Sequence, residues 1–356
     1  MDIRGQGNPA RTGLDGLVLG VGPDGRCDDF RLGGATVMRD AASGEWRMWY
    51  YCRDREFRGP STLGTGRIAL AVSQDGIGWR RYGGDGALSS VFSPSREKGA
   101  FDNLHLGISD MTTGPEGYEM WYFGGSEALR HSVKFGLGAG LGMLPGLATS
   151  RDGLTWQRRP GSAPGGALVR LPEARLYRSW PNVFRHEGVL YMQLTEASSD
   201  LGQYDTSVWR MRDDGQWEGC GLLQWSDATP GYDEAGMVTR QVLPNPLGEG
   251  GRLLMVYTAV NASRGRHVAA AHSDDGIHWQ RLYREPIFAK GAEGAWDSLG
   301  VAANRLVEAE GRLYLYYYGF QTLGDMDGMR GIGLATAPTG DLRDLRRVAP
   351  SPLLSD

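Results

Sequence analysis

Ser73-Gln74-Asp75-Gly76-Ile77-Gly78-Trp79 is the stretch that decides the fold, because the chain repeats it. Related heptapeptides begin at Ser150 and Ser273, a shortened copy spans Asp213–Trp217, and a weaker fifth copy begins near Ala335. An Asp-Gly pair between two β-like segments predicts a tight hairpin in which the glycine takes a positive φ. We therefore expect each copy to join two neighbouring antiparallel strands.

An apolar, largely aromatic run precedes each of these hairpins. The five runs are Arg47–Tyr51, Glu119–Phe123, Leu190–Gln193, Leu254–Tyr257 and Leu313–Tyr318. Near-continuous apolar runs of this kind are typical of strands that are buried on both faces. A turn signal and another short strand come before each run, so the repeating unit contains four strands. Five such units predict an all-β fold, a five-bladed β-propeller built from four-stranded antiparallel blades.

The repeat also settles the number of domains that we expect. A length of 356 residues suits one domain or two. We predict a single propeller domain over residues 1–356, with blades at about 28–85, 100–160, 175–222, 232–285 and 296–350.

Composition excludes several classes of protein. Glycine contributes 55 residues, but the 11 Trp and 15 Tyr argue against a disordered glycine-rich chain. The 42 acidic and 38 basic side chains nearly balance, which argues against a nucleic-acid partner. No apolar run approaches the ~18 residues of a membrane span, so no membrane partner is expected.

The compartment is predicted from the N-terminus and the cysteines. The first residues contain no apolar segment typical of a secretion signal. Cys27, Cys52 and Cys220 are odd in number and lack the spacing of a metal site. We therefore expect a cytoplasmic protein with reduced cysteines, and we expect neither a cofactor nor a metal.

The aromatic strand followed by Ser-x-Asp-Gly-x-x-Trp resembles the five-bladed propeller glycosidases of the arabinanase, xylosidase, levansucrase and invertase group. The resemblance runs from about Asp28 to Val348, although the shared motif lies on outer hairpins that need not touch a substrate. It implies a central funnel in which different blades each present an acid to a sugar. Retaining or inverting hydrolysis needs two carboxylates across the scissile bond.

Acidic residues at the entrances of the innermost strands are the candidates for this pair. We expect Asp29 to act as nucleophile or base, Glu234 as general acid, and Asp102 as the acid that tunes its neighbours. An aromatic-Asp pair recurs at Asp102, Asp233 and Asp297. A repeated structural role is therefore the alternative for Asp102, because aspartate readily caps turns and strand entrances.

Blade 3 departs from the pattern of that group. Trp180 occupies the position where the group has an aspartate, before Pro181-Asn182-Val183-Phe184. Trp180 is suited to form a platform for a sugar ring, or to pack in the core. Arg175 and Arg178 are suited to bind an anionic group, or to stack on neighbouring aromatic rings.

Further ligand-binding candidates lie near the predicted funnel. His105 is close to the entrance of blade 2, and Glu127 and Glu196 follow the ends of aromatic strands. Arg53 and Asp325 are charged loop residues at comparable positions in blades 1 and 5. Charged loop side chains are also commonly solvated without any further role.

These residues predict a glycoside hydrolase-like enzyme that acts on a small-molecule or oligosaccharide ligand by carboxylate acid/base catalysis. One alternative is a propeller that binds a glycan or an anionic small molecule without turnover. Another is an enzyme of different chemistry on the same scaffold. The acids of blades 2 and 4 favour the hydrolase, and the missing carboxylates of blades 1 and 3 favour the alternatives.

Overall fold

The computed structural model describes residues 14–40, 43–56, 66–134, 136–228, 231–248, 250–321 and 329–349. Five antiparallel sheets follow one another along the chain, each with its first strand innermost. The helical segments in these ranges are three 3-10 turns, at Ala87–Ser89, Pro164–Gly166 and Leu342–Asp344. None of these is long enough to cross a membrane. The five-bladed β-propeller predicted from the repeat is confirmed.

The blades have closely similar strands, written here from the innermost strand outward. They are Arg31–Arg39, Trp46–Arg53, Arg67–Ser73 and Arg80–Arg81 in blade 1; His105–Gly114, Gly117–Gly125, Leu144–Ser150 and Gln157–Arg159 in blade 2; Arg175–His186, Val189–Ser198, Tyr204–Met211 and Trp217–Leu222 in blade 3; Met237–Pro244, Leu253–Val260, Arg266–Ser273 and His278–Arg281 in blade 4; and Gly300–Ala309, Arg312–Phe320, Arg330–Pro338 and Arg346–Arg347 in blade 5.

Three further elements complete the sheets. Leu17–Leu19 pairs antiparallel with the third strand of blade 5, so an N-terminal segment joins the last blade of the ring. Gln224–Trp225 runs parallel to the outer strand of blade 4. Leu129–Ser132 and Gly136–Ala139 form a separate hairpin between the second and third strands of blade 2.

The repeated heptapeptide forms the hairpin between the third and outer strands. In blade 1 the Gly76 N–H donates to the Ser73 hydroxyl at 2.9 Å, and Asp75 Oδ1 accepts from Ile77 and Gly78 N–H, each at 2.8 Å. Gly76 has a φ of 74°, a conformation that favours glycine. The copies at Ser150 and Ser273 make the same bonds, so local chemistry explains why Ser, Asp and Gly recur.

The hairpin of one blade accepts a hydrogen bond from the aromatic strand of the blade before it. The Trp49 indole N–H of blade 1 donates to the Gly153 carbonyl of blade 2 at 2.9 Å. The Tyr316 hydroxyl of blade 5 donates to the Gly76 carbonyl of blade 1 at 2.7 Å. The two sequence features that recur together are therefore in direct contact across blade interfaces.

A buried Asp-Tyr-Arg cluster recurs in four blades. Its members are Asp28, Tyr50 and Arg81 in blade 1; Asp102, Tyr122 and Arg158 in blade 2; Asp233, Tyr257 and Arg281 in blade 4; and Asp297, Tyr317 and Arg347 in blade 5. In each cluster the carboxylate accepts from the phenol at 2.8–3.1 Å and from the arginine Nε at 2.7–2.9 Å. The cluster ties the entrance of the inner strand to the second and outer strands of its own blade.

Every innermost strand is interrupted by a bulge where its pairing with the second strand shifts. The shifts fall within Leu32–Ala35, Ile108–Asp110, Ser179–Asn182, Met237–Arg240 and Ala303–Arg305. A bulge leaves residues unpaired and re-aims their side chains. Five bulges at comparable positions therefore shape the centre of the propeller.

Candidate functional site

A cavity of about 330 Å³ lies at the centre of the ring, and all five blades contribute to its lining. We call this cavity the funnel. The bulges of the inner strands supply Gly33 and Gly34, Ser109, Trp180, Val238 and Thr239, and Asn304. The rest of the lining comes from the strand ends and loops around these bulges. The shape of the funnel is thus determined by a bulge that recurs in the inner strand of each of the five blades.

The charged side chains of the funnel are cationic. Among the described residues of its lining there is no aspartate or glutamate, whereas five lysine and arginine residues are present. They are Arg31, Arg53, Lys134, Arg240 and Arg266. Like charges gathered around one partly enclosed space raise its positive potential and attract anions.

Arg240 is the most deeply buried of these cations, at 3% exposure. Its Nη2 donates to the Val238 carbonyl at 3.1 Å and to the Thr195 hydroxyl. Its Nε and Nη1 have no hydrogen-bond partner within the part of the chain that the structure describes. Burial lowers the pKa of Arg240 to about 9, and nearby Tyr177 offsets this only in part. A buried cation without a carboxylate is costly, so the site favours an incoming anion.

Tyr318 lies near the end of the second strand of blade 5 and lines the funnel. Its hydroxyl accepts a hydrogen bond from an arginine. Arg330 Nη1 donates to the Tyr318 hydroxyl at 2.9 Å, and Arg31 is close enough to act on it electrostatically. Burial on its own raises the pKa of the phenol, but the charges of Arg31 and Arg330 outweigh it. The pKa of Tyr318 therefore lies below its usual value of 10.0. These cations stabilise the phenolate form.

His105 lines the same cavity as a neutral group. Its Nε2 lies 2.9 Å from the Gly140 carbonyl, which can only accept, so Nε2 carries the hydrogen. Burial is the main cause that lowers the pKa of His105 to about 4, and the Arg53 cation lowers it further. His105 is consequently uncharged at neutral pH.

Trp180 has an unusual backbone at the bulge of blade 3. Its φ is 51°, which is uncommon for a residue other than glycine. The half-buried indole packs against Phe123 and Tyr177, with ring centroids 5.2 and 5.0 Å apart. Backbone strain of this kind persists where surrounding packing enforces it, and it is common at ligand sites.

The three carboxylates expected to catalyse hydrolysis do not meet in the funnel. Asp102 is buried in the repeated cluster of blade 2 with Tyr122 and Arg158. Asp29 accepts from the backbone N–H groups of residues 25 and 55, at 2.9 and 3.0 Å. Glu234 is exposed, accepts from the N–H of residue 262 at 3.1 Å, and borders a separate cavity of about 160 Å³. Two acids that act on one glycosidic bond must share a cavity, and none of these three carboxylates lines the funnel.

The other expected ligand-binding residues divide into two groups. His105, Trp180 and the loop candidate Arg53 line the funnel. Glu196 is buried and bonded to Arg178 at 2.7 Å, and Arg175 lies 3.5 Å from Glu196. Arg175 also pairs with Asp205 at 2.5 Å, so carboxylates occupy both arginines. Arg175, Arg178 and Glu196 do not belong to the funnel lining.

Two candidates from the loops remain. Glu127 is exposed, and its backbone N–H donates to the Asn103 side chain at 3.1 Å. It does not belong to the funnel lining. Asp325 lies outside the described residues.

Sequence reasoning missed most of the cationic lining. Arg31, Arg240, Arg266 and Tyr318 were not singled out, because arginine and tyrosine within strands or at their ends are common without any function. The role of Asp102 did have a signal in the sequence. An arginine follows the hairpin tryptophan by two residues in Trp79-Arg80-Arg81, and equivalent arginines pair with the aspartates of blades 2 and 4.

No protein-family model and no curated protein matches the chain. Solved structures do match. BT0996, described in a complex with RGII, aligns with a TM-score of 0.59 at 18% identity over 95% of each protein. An N-acetylgalactosamine deacetylase from F. plautii aligns with a TM-score of 0.62 at 14% identity, over 91% of this chain and 96% of that one. The GH32 β-fructofuranosidase BmSUC1 of Bombyx mori aligns with a TM-score of 0.58 at 12% identity, over 90% of this chain and 62% of that one.

These comparisons concern the fold. At identities of 12–18% they show that the chain shares the five-bladed propeller of glycoside hydrolases and related carbohydrate-active enzymes. The resemblance detected in the repeats is confirmed at that level. The F. plautii protein is described as a deacetylase, so the proteins that share this fold are not all described as hydrolases of glycosidic bonds.

Proposed function

We propose that the protein binds an anionic carbohydrate in the funnel and that Arg240 anchors the negatively charged group of this ligand. One observation carries the proposal. Arg240 is buried, two of its nitrogen atoms lack partners among the described residues, and it lines a cavity whose described walls hold no carboxylate. An anion supplies the missing charge and the missing acceptors together.

The remaining lining supports a sugar ring as the body of the ligand. A cavity of about 330 Å³ lies near the lower end of the range of small-molecule sites. Trp180 and Phe123 offer aromatic surface, while Ser109, Thr239 and Asn304 offer hydrogen-bonding groups. Aromatic walls with a few polar groups fit a ring that is apolar on its faces and hydroxylated at its edge.

The hydrolase with Asp29, Asp102 and Glu234 as its acids is less well supported. It needs a carboxylate pair around one cavity, and these three side chains lie apart. Binding of an anionic ligand, which was the alternative drawn from the sequence, makes direct use of the cations that the funnel holds.

The proposal is tested by titrating the purified protein with matched acidic and neutral sugars. Methyl galacturonoside and methyl glucuronoside are compared with methyl galactoside and methyl glucoside by calorimetry, and galactose 6-phosphate serves as a second kind of anion. We expect binding of the acidic sugars and none of the neutral ones. R240M should abolish binding, whereas R252M, which removes a surface pair with Glu187, should not.

Each result bears on the proposal. Equal affinity for acidic and neutral sugars, or unchanged affinity in R240M, would refute an anion site at Arg240. Binding of the phosphate alone would keep the anion site and replace the carboxylate with a phosphate ester as its ligand. An effect of R252M equal to that of R240M would show that only the net charge matters.

A further inference from the structure

We propose that the funnel catalyses β-elimination on a 4-linked uronate, and that Tyr318 is the residue that moves the proton. The inference rests on the proposed function, because it requires the carboxylate of the sugar to be held at Arg240. It adds a reaction to that binding site and names uronic-acid glycans as the substrate class.

The charge of the funnel decides between elimination and hydrolysis. Hydrolysis of a glycosidic bond passes through an oxocarbenium-like transition state, which is positively charged. Arg31, Arg53, Arg240 and Arg266 surround the cavity and would raise the energy of such a state. Removing the proton beside a carboxylate instead places a second negative charge on that group. Preorganised cations stabilise this transition state.

Tyr318 has the geometry of the base. It lies near the end of the second strand of blade 5, lines the funnel, and accepts a hydrogen bond from Arg330 at 2.9 Å. Arg31, from the start of the inner strand of blade 1, adds a second positive charge. Both cations lower the pKa of the phenol, which brings it closer to neutral pH, where a general base works best.

His105 is less suited to this role although it lines the same cavity. Its Nε2 hydrogen is committed to the Gly140 carbonyl at 2.9 Å. Its pKa of about 4 makes the free Nδ1 a weak base. No aspartate or glutamate belongs to the described lining, and two of its phenols, Tyr51 and Tyr318, accept a hydrogen bond from an arginine. Tyr318 is the better base of the two because a second arginine, Arg31, also lowers its pKa.

The reaction balances without a further reactant. The Tyr318 phenolate takes the proton from C5 of the uronate, next to the carboxylate. The electron pair of the C5–H bond forms the C4=C5 double bond, and the C4–O bond breaks with its pair on the leaving oxygen. In a glucuronate the C5 hydrogen and the C4 oxygen lie on the same face of the ring, so Tyr318 returns the proton to that oxygen. In a galacturonate they lie on opposite faces, and water protonates the leaving oxygen. The products are a 4,5-unsaturated uronate and a shortened glycan, and Tyr318 ends as it began.

The test separates binding from chemistry. Full-length protein is incubated with 4-linked galacturonate and glucuronate oligosaccharides, and the conjugated double bond is followed by ultraviolet absorbance and mass spectrometry. In D2O, exchange of the C5 proton of bound methyl galacturonoside, followed by NMR, reports proton removal without any bond cleavage. We expect both signals from the wild type. Y318F should lower them by about 10²–10⁴-fold while still binding the methyl uronosides.

Tyr314 provides the matched control. It lies four residues before Tyr318 in the same strand, packs on Trp46 with ring centroids 5.0 Å apart, and does not line the funnel. Y314F should therefore retain the elimination rate. A rate in Y318F equal to that of the wild type would overturn the role of Tyr318.

The remaining outcomes are equally decisive. Uronosides that bind without C5 exchange and without an unsaturated product would overturn elimination and leave the proposed function standing. A saturated product that carries solvent oxygen would establish hydrolysis instead. Failure of every uronoside to bind would refute the proposed function, and the elimination with it.

Discussion

Replacing Arg240 with methionine is expected to stabilise the ligand-free protein, because it removes a buried charge that lacks a carboxylate partner. The pKa of Arg240 falls from 12.5 to about 9 on folding. At about 1.4 kcal/mol for each pKa unit, this corresponds to roughly 4–5 kcal/mol against the charged form. R240M also loses the hydrogen bonds to Val238 and Thr195, which offsets about 1–2 kcal/mol of this gain in stability. We expect R240M to raise the free energy of unfolding by about 2–4 kcal/mol.

The assay is urea denaturation of the wild type and R240M, with R252M as a surface control. Below about pH 8, Arg240 is charged in the folded and unfolded states, so the full penalty applies. As the pH rises through about 9, the folded state loses the proton first while the unfolded state keeps it. The stability of the wild type then rises with pH, and the advantage of R240M should shrink.

The ligand supplies the second half of this experiment. An acidic sugar at 100 times its Kd should stabilise the wild type by about 2.7 kcal/mol and leave R240M unchanged. An R240M variant that is less stable than the wild type at neutral pH would refute the reasoning. So would an acidic sugar that stabilises both proteins equally.

Three further predictions concern the scaffold. D102N should lower the free energy of unfolding by about 2–4 kcal/mol, because it leaves Arg158 without its buried partner. The affinity for acidic sugars should not change, and a loss of activity without a loss of stability would restore Asp102 as a catalytic acid. W49F should lower the free energy of unfolding by about 1–3 kcal/mol, because it removes the hydrogen bond from the indole to the Gly153 carbonyl of the next blade. Thermal and urea unfolding measure this, and an unchanged stability would show that the bond is dispensable. For Asp275, burial alone would raise the pKa, but bonds from His278 and the hairpin backbone hold it at about 2. The stabilisation that the Asp275 carboxylate contributes is present above about pH 4 and is lost as the pH falls towards 2. In urea unfolding, D275N should therefore be less stable than the wild type at pH 6 and should match it near pH 2. An equal difference in stability at both pH values would contradict this.

The fold could be predicted because its signals are local. Ser73, Asp75 and Gly76 form their hairpin through bonds that span two or three residues, so the sequence pattern and the structure report the same contacts. The strand that leads into this hairpin is Arg67–Ser73, as the Asp-Gly pair between two β-like segments predicts. An apolar run such as Leu254–Tyr257 similarly lies within one buried strand, because its periodicity reflects burial on both faces.

The funnel could not be predicted in the same way because its residues converge only when the ring closes. Arg31 starts an inner strand of blade 1, Arg266 starts a third strand of blade 4, and Tyr318 lies near the end of a second strand of blade 5. No spacing in the sequence brings these positions together. The bulge that places Arg240 beside the cavity is a pairing shift, which becomes visible only when both strands are paired.

Of the acids expected in the funnel, Asp102 is absent from its described walls for a reason that follows from the repeat. An aspartate that recurs at the entrance of four inner strands is committed in each case to a phenol and an arginine of its own blade, and that role holds the blade together. The bulge residues make no such repeated contact, and they differ in every blade, from Gly33 in blade 1 to Trp180 in blade 3 and Asn304 in blade 5. Stability and ligand chemistry are thus assigned to different positions of the same strands. The charge of the funnel lining can therefore vary while the clusters that hold the blades together stay unchanged.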